Sequence, residues 1–365
     1  MSGHTNTYHS AKRIAILLNG NARKVTQALV DQLSYTVPRK DIYFSKTLEE
    51  AKRFCQLIYE REYDLVFTGG GDGTLLNGVT ELQRCHEQAV TKRRFPVLGV
   101  LHLGTGNAVA GFLGARANIT KTIQQAQKTQ GFALREQHWV EVNGESTPFA
   151  GTGLDSLMIN HYKKLKDQLK DGPFAFLGEG LRGYLSALFV YTTPHFFTQP
   201  FPEIEVFNGN KPAYLLGPKG DYVEEFAPGA RLYKGPAMMS SVSTVPCFGY
   251  GVKGFPFAES GQHMQLRLAF PPVLEALINI PRICRGTYRS KKLLDFHVEE
   301  VTVRSDELLP LQIGGDPKGY HHEVTYKLSE KATWLADFRA AQQLPARQPT
   351  KSLPPANTTD IISHI

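Results

Sequence analysis

The residues with the most chemistry in them run Val66-Phe-Thr-Gly-Gly-Gly-Asp-Gly-Thr-Leu-Leu76. An apolar strand ends at Thr68, glycines follow, and a helix is expected to open at Thr74. That order lets backbone N–H groups at a helix start face a phosphate. The glycines permit positive φ and let a ligand approach without a Cβ in its way. Asp72 stands where it could reach a Mg²⁺ held by such phosphates, or a substrate hydroxyl. The alternative for this stretch is a surface turn, because Asp-Gly is a common turn dipeptide.

The surrounding elements favour the phosphate. Arg13–Leu18 reads as a first buried strand ending in Asn19-Gly-Asn-Ala22, and a helix is expected from about Lys24 to Leu33. Asp41–Phe44 is a second strand. Thr47 and Glu50 form a capping box before a helix whose apolar positions Leu48, Ala51, Phe54, Cys55 and Ile58 keep helical period. Asp64–Phe67 is the third strand. Leu75, Leu76, Val79 and Leu82 line the helix after it, and Pro96–Leu101 is a fourth strand ending in His102-Leu-Gly-Thr-Gly-Asn107. Strands alternating with helices imply a doubly wound parallel sheet, whose ligands sit beyond the carboxyl ends of the strands. Asn19–Asn21, Gly69–Thr74 and Gly104–Asn107 all fall at such ends.

From about Arg135 the rhythm changes. Short runs at His138–Val142, Thr147–Gly151, Glu203–Phe207, Ala213–Leu216, Met264–Phe270 and Leu293–Val303 predict a mainly β second domain. Helical segments are expected near Ser156–Leu169, Phe176–Tyr191 and Pro271–Cys284. The segment 341–365, rich in Pro, Gln, Ser, Thr and Asn, reads as a disordered tail.

Composition bounds the partners. The 365 residues suggest two domains, and 41% hydrophobic with 21% charged residues describes an ordinary globular protein. No apolar run approaches the roughly 18 residues of a membrane span, and the polar N-terminus lacks a signal-peptide core. A cytoplasmic protein is expected. The net charge of +7 makes anionic partners plausible, yet no nucleic-acid module signature is present. The four cysteines, Cys55, Cys85, Cys247 and Cys284, lack CxxC spacing and read as small core residues. His321-His322-Glu323 is no metal trio, because neighbours on a strand face opposite sides.

Taken together, Gly69-Gly-Gly-Asp-Gly-Thr74 and Gly104-Thr-Gly-Asn107 resemble the catalytic domain of the diacylglycerol kinase and sphingosine kinase superfamily of lipid kinases. Asn19, Gly151-Thr-Gly-Leu-Asp155, Tyr184–Leu188, Cys247–Pro256 and Leu311-Gln-Ile-Gly-Gly-Asp316 fit the same pattern. The resemblance runs from about Arg13 to Asp337 and is nearest to the small soluble bacterial-type members. GGDGT alone is shared with NAD kinases.

The resemblance implies an NAD kinase/diacylglycerol kinase-like fold. An α/β nucleotide-binding domain would cover 1–134, with about 324–340 returning to it. A β-rich, antiparallel, sandwich-like lipid-substrate domain with helices would cover 135–323. It also implies ATP and Mg²⁺ dependence and an acceptor hydroxyl on diacylglycerol, a sphingoid base or ceramide. The protein would act peripherally at a membrane surface, on lipid and not on nucleic acid, and a homodimer is compatible with it. Asn19, Gly69, Gly70, Gly71, Gly73 and Thr74 would hold the ATP phosphates, with Gly104, Thr105 and Asn107 bordering the nucleotide. Asp72 would act near the γ-phosphate, through Mg²⁺ or on the attacking hydroxyl. Asp155 matches an aspartate near the lipid head group; its plain alternative is a helix N-cap.

Two positions depart from the pattern. Where many relatives read Asp-Gly-Glu, this chain has Gly314-Gly315-Asp316, and glycine cannot accept a proton. Either Asp72 activates the hydroxyl, Asp316 takes over part of the catalytic and Mg²⁺-binding role, or the protein binds without transferring. Ala108 replaces an aspartate common after the Asn. Two basic runs, His161–Lys166 with Lys170 and Arg282–Lys292, could meet a membrane or be solvated faces. Leu185–Val190 with Phe196, Phe197 and Phe201 could line a lipid-chain pocket or simply be core.

Overall fold

Hydrophobic runs of four to six residues, bounded by glycine and polar caps, become the strands of a parallel sheet in the first part of the chain. The computed structural model describes residues 8–170, 180–259 and 262–339. Its contacts divide into two units. One takes the described residues of Met1–Gln137 and Ala332–Ile365, the other those of His138–Lys331.

In the first unit, strands β1 (Tyr8–His9), β2 (Ile14–Asn19), β3 (Ile42–Ser45), β4 (Leu65–Gly70), β5 (Val97–His102) and β6 (Phe132–Gln137) share one seven-stranded sheet. Its seventh member is a return strand, Thr333–Asp337, from the far end of the chain. The order is β1-β6-return-β5-β4-β2-β3. The return strand, β5, β4, β2 and β3 run parallel; β6 runs antiparallel to the return strand, and β1 pairs antiparallel with β6. Helices α1 (Gln27–Ser34), α2 (Leu48–Arg61), α3 (Asp72–Gln88), α4 (Ala108–Phe112) and α5 (Ile119–Ala126) alternate with the strands. β2 and β4 are buried almost throughout, as strands covered on both faces must be. Thr47 caps α2 in the expected box: it accepts from Glu50 N at 3.1 Å, and the Glu50 carboxylate accepts from the Thr47 N–H at 3.3 Å.

The second unit is antiparallel. Strands β7 (Val140–Val142), β8 (Glu145–Thr147), β9 (Phe149–Gly153), β10 (Glu203–Asn208), β11 (Ala213–Leu216), β12 (Tyr222–Phe226), β13 (Arg231–Pro236), β14 (Met239–Ser243), β15 (Met264–Ala269), β16 (Leu293–Val298), β17 (Glu300–Ile313) and β18 (Asp316–Leu328) form its sheet. The main path is β12-β11-β16-β15-β14-β9-β17-β18-β7-β8, with β10 joining β17 to β13. Its core gathers Val206, Leu266, Phe296, Val303, Leu311 and Tyr326. Helix α6 (Leu154–Leu169) follows β9. Then α7 (Gly180–Ala187), a π turn (Leu188–Thr192) and α8 (Thr193–Thr198) run on without interruption. Short helices α9 (Val273–Ile278) and α10 (Ile280–Cys284) complete it.

Several expectations change. α3 opens at Asp72 rather than Thr74, with Gly71 as its cap. The single helix expected over Pro271–Cys284 is two, because Asn279 ends α9 and Pro281 can only enter a new first turn. Leu293–Val303 splits into two strands that turn at Glu299. β12, β13 and β14 had no clear signal: the burial of β12 and β13 does not alternate, and β14 is rich in serine. Cys55 and Cys85 are core residues, but Cys247 and Cys284 are half-buried. The expected tail over 341–365, and the start of the helix expected from Phe176, lie outside the described residues. Among the described residues no helix is long and apolar enough to cross a membrane.

Candidate active site

Three strand ends of the first unit, those of β2, β4 and β5, carry the loops of the candidate site. β4 and β5 lie side by side with Gly70 opposite His102, so the loop after each is a neighbour of the other. The loops are packed closely enough to exclude side chains. A Cβ on Gly104 would stand 2.6 Å from Gly71 Cα and 2.8 Å from the Gly70 carbonyl oxygen. One on Gly69 would strike Leu18, and one on Gly70 would strike Thr74. Gly71 and Gly73 differ: nothing lies within 4 Å of where their Cβ atoms would be. None of Gly69, Gly70, Gly71, Gly73 or Gly104 takes a positive φ. These glycines provide close approach and open space rather than unusual backbone, which corrects the expectation from sequence.

Asp72 is the centre of the arrangement. Its Oδ2 accepts from Ala108 N and its Oδ1 from Val109 N, both at 3.1 Å. The carboxylate therefore closes the N-terminus of α4, a role the sequence did not reveal. Burial pushes the Asp72 carboxyl upward, opposed by those two N–H groups and by nearby His102. Each oxygen has one protein donor, which leaves lone pairs for a further ligand. Asn107 holds the second loop in place. It sits in the left-handed region at φ 52°, accepts from Gly104 N at 2.8 Å and donates to Gly104 O at 2.6 Å. Thr105 is exposed beside it. Asn19 donates to the Thr74 hydroxyl at 3.3 Å and accepts from Asn21 N at 3.0 Å, tying the first loop to the start of α3. Gly71 caps that 17-residue helix without a side chain. Thr74 N–H donates back to Gly71 O at 2.9 Å, and the N–H groups of Asp72 and Gly73 at the helix start are offered to an anion beside open space.

These features bear on the metal. Mg²⁺ in phosphoryl-transfer sites is held by one or two carboxylates together with substrate phosphates and water. Asp72, with free lone pairs beside the open Gly71 and Gly73, fits that use. Among the described residues no group of three His, Cys, Asp or Glu side chains could hold a metal without substrate.

Asp155 and Asp316 belong to the second unit. Asp155 stands at the second position of α6, with Gly153 as the cap, so the N-cap alternative does not hold. It is 7% exposed. Ser241, Gly151 and Gln312 form one row across β14, β9 and β17. The Asp155 carboxylate lies over Gly151, where a Cβ would come within 2.6 Å of Oδ2. It accepts from Ser241 Oγ at 2.8 Å, Gln312 Nε2 at 2.9 Å and Ser156 N at 2.9 Å. These donors are neutral, so burial prevails and pushes its pKa to about 6. Gln312 also accepts from Gly315 N through Oε1 at 2.9 Å. One fully buried amide thus links the Asp155 carboxylate to the turn that carries Asp316. Sequence reading missed Ser241 and Gln312; Gln312 lay within the matching Leu311–Asp316 motif, and Ser241 lay in none.

Gly314 and Gly315 take φ of 59° and 90° and make a two-residue hairpin turn, with Ile313 paired to Asp316. The Asp316 side chain is 76% exposed and forms an ion pair with Lys163 of α6 at 3.7 Å. Asp72 and Asp316, the two expected catalytic acids, therefore have unlike settings.

An α/β unit carrying paired glycine loops at strand ends, with an antiparallel β unit inserted before its last strand, has a diacylglycerol kinase-like fold. Residues 13–134 match the family model of the diacylglycerol kinase catalytic domain, the family that its motifs resemble. Among solved structures, a diacylglycerol kinase from Bacillus anthracis str. Sterne overlaps with a TM-score of 0.56 at 14% identity. The match covers 91% of this chain and 98% of that one. A candidate diacylglycerol kinase from the same organism overlaps with the same TM-score at 16% identity, over 91% and 99% of the two chains. At these identities the likeness speaks for the fold alone. No curated protein matches the sequence significantly.

Proposed function

We propose that this protein is an ATP- and Mg²⁺-dependent lipid kinase working peripherally at a membrane. It would transfer the γ-phosphoryl group to a head-group hydroxyl of diacylglycerol, a sphingoid base or ceramide. The observation that carries the reading is Asp72, a half-buried carboxylate held by two backbone N–H groups beside an open, side-chain-free helix start, inside the matched catalytic domain. Phosphoryl transfer asks the protein for positioning and charge neutralisation more than for covalent help.

The first-turn N–H groups of α3 and the Thr74 hydroxyl, steadied by Asn19, receive phosphate oxygens. Bound Mg²⁺ supplies charge neutralisation on those oxygens. Asp72 offers its remaining lone pairs to the metal or to the acceptor hydroxyl, and its raised pKa suits a group that takes up a proton. Asn107 keeps the second loop against the first. Asp155 presents a buried acid to the head group, oriented by Ser241 and Gln312.

The test is transfer of labelled phosphate from ATP to a panel of diacylglycerol, sphingosine, ceramide and, as a soluble control, NAD, with and without EDTA. One lipid class should be labelled and EDTA should abolish it. Labelling of NAD alone would identify an NAD kinase. ATP binding with no labelled product would identify a binding protein, the reading that Gly314 in place of an acid favours.

A further inference from the structure

Much of the segment expected to line a lipid pocket or the core lies on the outside. Leu185, Phe189, Val190 and Phe197 are 39–62% exposed along the continuous helical run 180–198. On an uninterrupted α-helix the twelve steps from Leu185 to Phe197 would overshoot three full turns by about 120°. The π turn at Leu188–Thr192 has a wider i→i+5 winding and removes most of that rotation. It therefore brings Leu185, Phe189 and Phe197 towards one stripe. α8 packs on α9, which exposes Leu274 and Ile278 one turn apart, at 61% and 70%. Phe196, by contrast, is buried.

The charge around these residues is one-sided. Residues 161–170, 180–198 and 273–292 hold ten Lys or Arg against two acids, Asp167 and Glu275. Their net +8 exceeds the +7 of the whole chain. Lys166, Lys170, Arg182, Arg282, Arg285 and Lys291 make no ion pair among the described residues. α6 packs on α7 and the π turn, and α10 on α9, so these cations lie on elements packed against those that expose the aromatic and aliphatic side chains, the composition of a surface that lies on an anionic bilayer.

We propose that the stripe on the 180–198 run, with α9 and the flanking cations, is the docking surface for an anionic membrane leaflet. Phe189, Phe197, Leu274 and Ile278 enter the boundary between head groups and acyl chains, and the cations meet anionic head groups. A second copy of this chain is a poor occupant, since two such faces would bring like charges together. The proposal rests on the lipid-kinase reading for its purpose, and its test is independent of transfer.

Full-length protein is floated with vesicles of phosphatidylcholine alone and of equal parts phosphatidylcholine and phosphatidylserine, without ATP. Binding should require phosphatidylserine and weaken with salt. Phe189→Ser with Ile278→Ser should lower vesicle affinity at least tenfold. Arg282→Glu with Arg285→Glu should do the same, each lost cation being worth about fivefold. If the apolar variant fails to fold, as judged by thermal melts, the charge variant decides. No binding by the parent, or parent-like binding by the folded variants, overturns the proposal. So does a dimer in solution that these variants dissociate. Transfer to detergent-dispersed lipid without vesicle binding defeats only this proposal; vesicle binding without any transfer defeats only the kinase reading.

Discussion

Asp72 and Asp155 are both partly or wholly buried carboxylates whose pKa is pushed upward by burial, but they are held in opposite ways. Asp72 is gripped by two main-chain N–H groups of a neighbouring helix start and borders open space. Asp155 is gripped mainly by side chains from two strands and is covered almost completely. Main-chain donors are fixed by the fold and cannot turn away. A serine hydroxyl can reorient to suit either protonation state, while Gln312 is pinned by Gly315 N–H. The first arrangement is built to keep a charge in place, the second to tolerate its loss.

The sharpest way to break this contrast is the same substitution at both sites. Asp72→Asn forces an amide NH₂ against either Ala108 N–H or Val109 N–H, leaving one donor unsatisfied. We expect a stability loss of about 1–3 kcal/mol and a fall in transfer of roughly 100-fold or more. Denaturant melts and the labelled-lipid assay measure both, and near-parental transfer would reduce Asp72 to a helix clamp.

Asp155→Asn should act the other way on stability. The folded pKa of about 6 lies above the ordinary carboxylate value of 3.8. Between these values the folded protein holds a proton that the unfolded chain has lost, so the parent loses stability as pH rises from about 4 through about 6. The Asn variant lacks this slope. Relative to the parent, it should gain roughly 2 kcal/mol between pH 4.5 and pH 7.5, read from urea melts. The Ser241 hydroxyl can turn to accept from the new amide, while Gln312, pinned by Gly315 N–H, still donates to the remaining carbonyl oxygen. An unchanged difference between the two pH values would show that the acid is not buried as described.

The smallest effect is expected at the hairpin. Gly314→Asp restores an acid at φ 59°, a conformation that Asp in an Asp-Gly turn adopts readily. Its Cβ would stand 3.0 Å from Thr147 Oγ1, so the hydroxyl must shift slightly. Stability should change by less than about 1 kcal/mol, and transfer should stay within about tenfold of the parent because Asp72 remains. A larger gain would show that the missing acid limits the reaction.

The same contrast explains what could be read in advance. The Asp72 loop is contiguous: strand, glycines, acid and helix follow one another within Val66–Leu76, and local pattern reaches that far. The capping box at Thr47 was legible for the same reason. Ser241, Gly151 and Gln312 meet only because β14 and β17 flank β9, and strand order leaves no local trace. The clamp of Asp72 on α4 joins residues 36 and 37 apart and was equally hidden. The glycines were half legible: Gly71 and Gly73 leave the side-chain-free approach expected of them, but none of the loop glycines takes a positive φ, and Gly69, Gly70 and Gly104 serve close packing.

The return strand has a consequence for how the protein is made. Thr333–Asp337 lies between β5 and β6, not at an edge, and Phe338 just beyond it stacks on Phe67 of β4 at 6.1 Å. A ribosome releasing only the matched catalytic segment would leave β5 and β6 without the strand that joins them. β5, β4, β2 and β3 can pair without it, but the full sheet is completed only by nearly the last described residues, with close to two hundred residues of the other unit emerging first. Contacts that span so much chain are slow to form and expose unpaired strands meanwhile. Synthesis order, more than side-chain chemistry, sets when the sheet that carries these glycine loops can be completed.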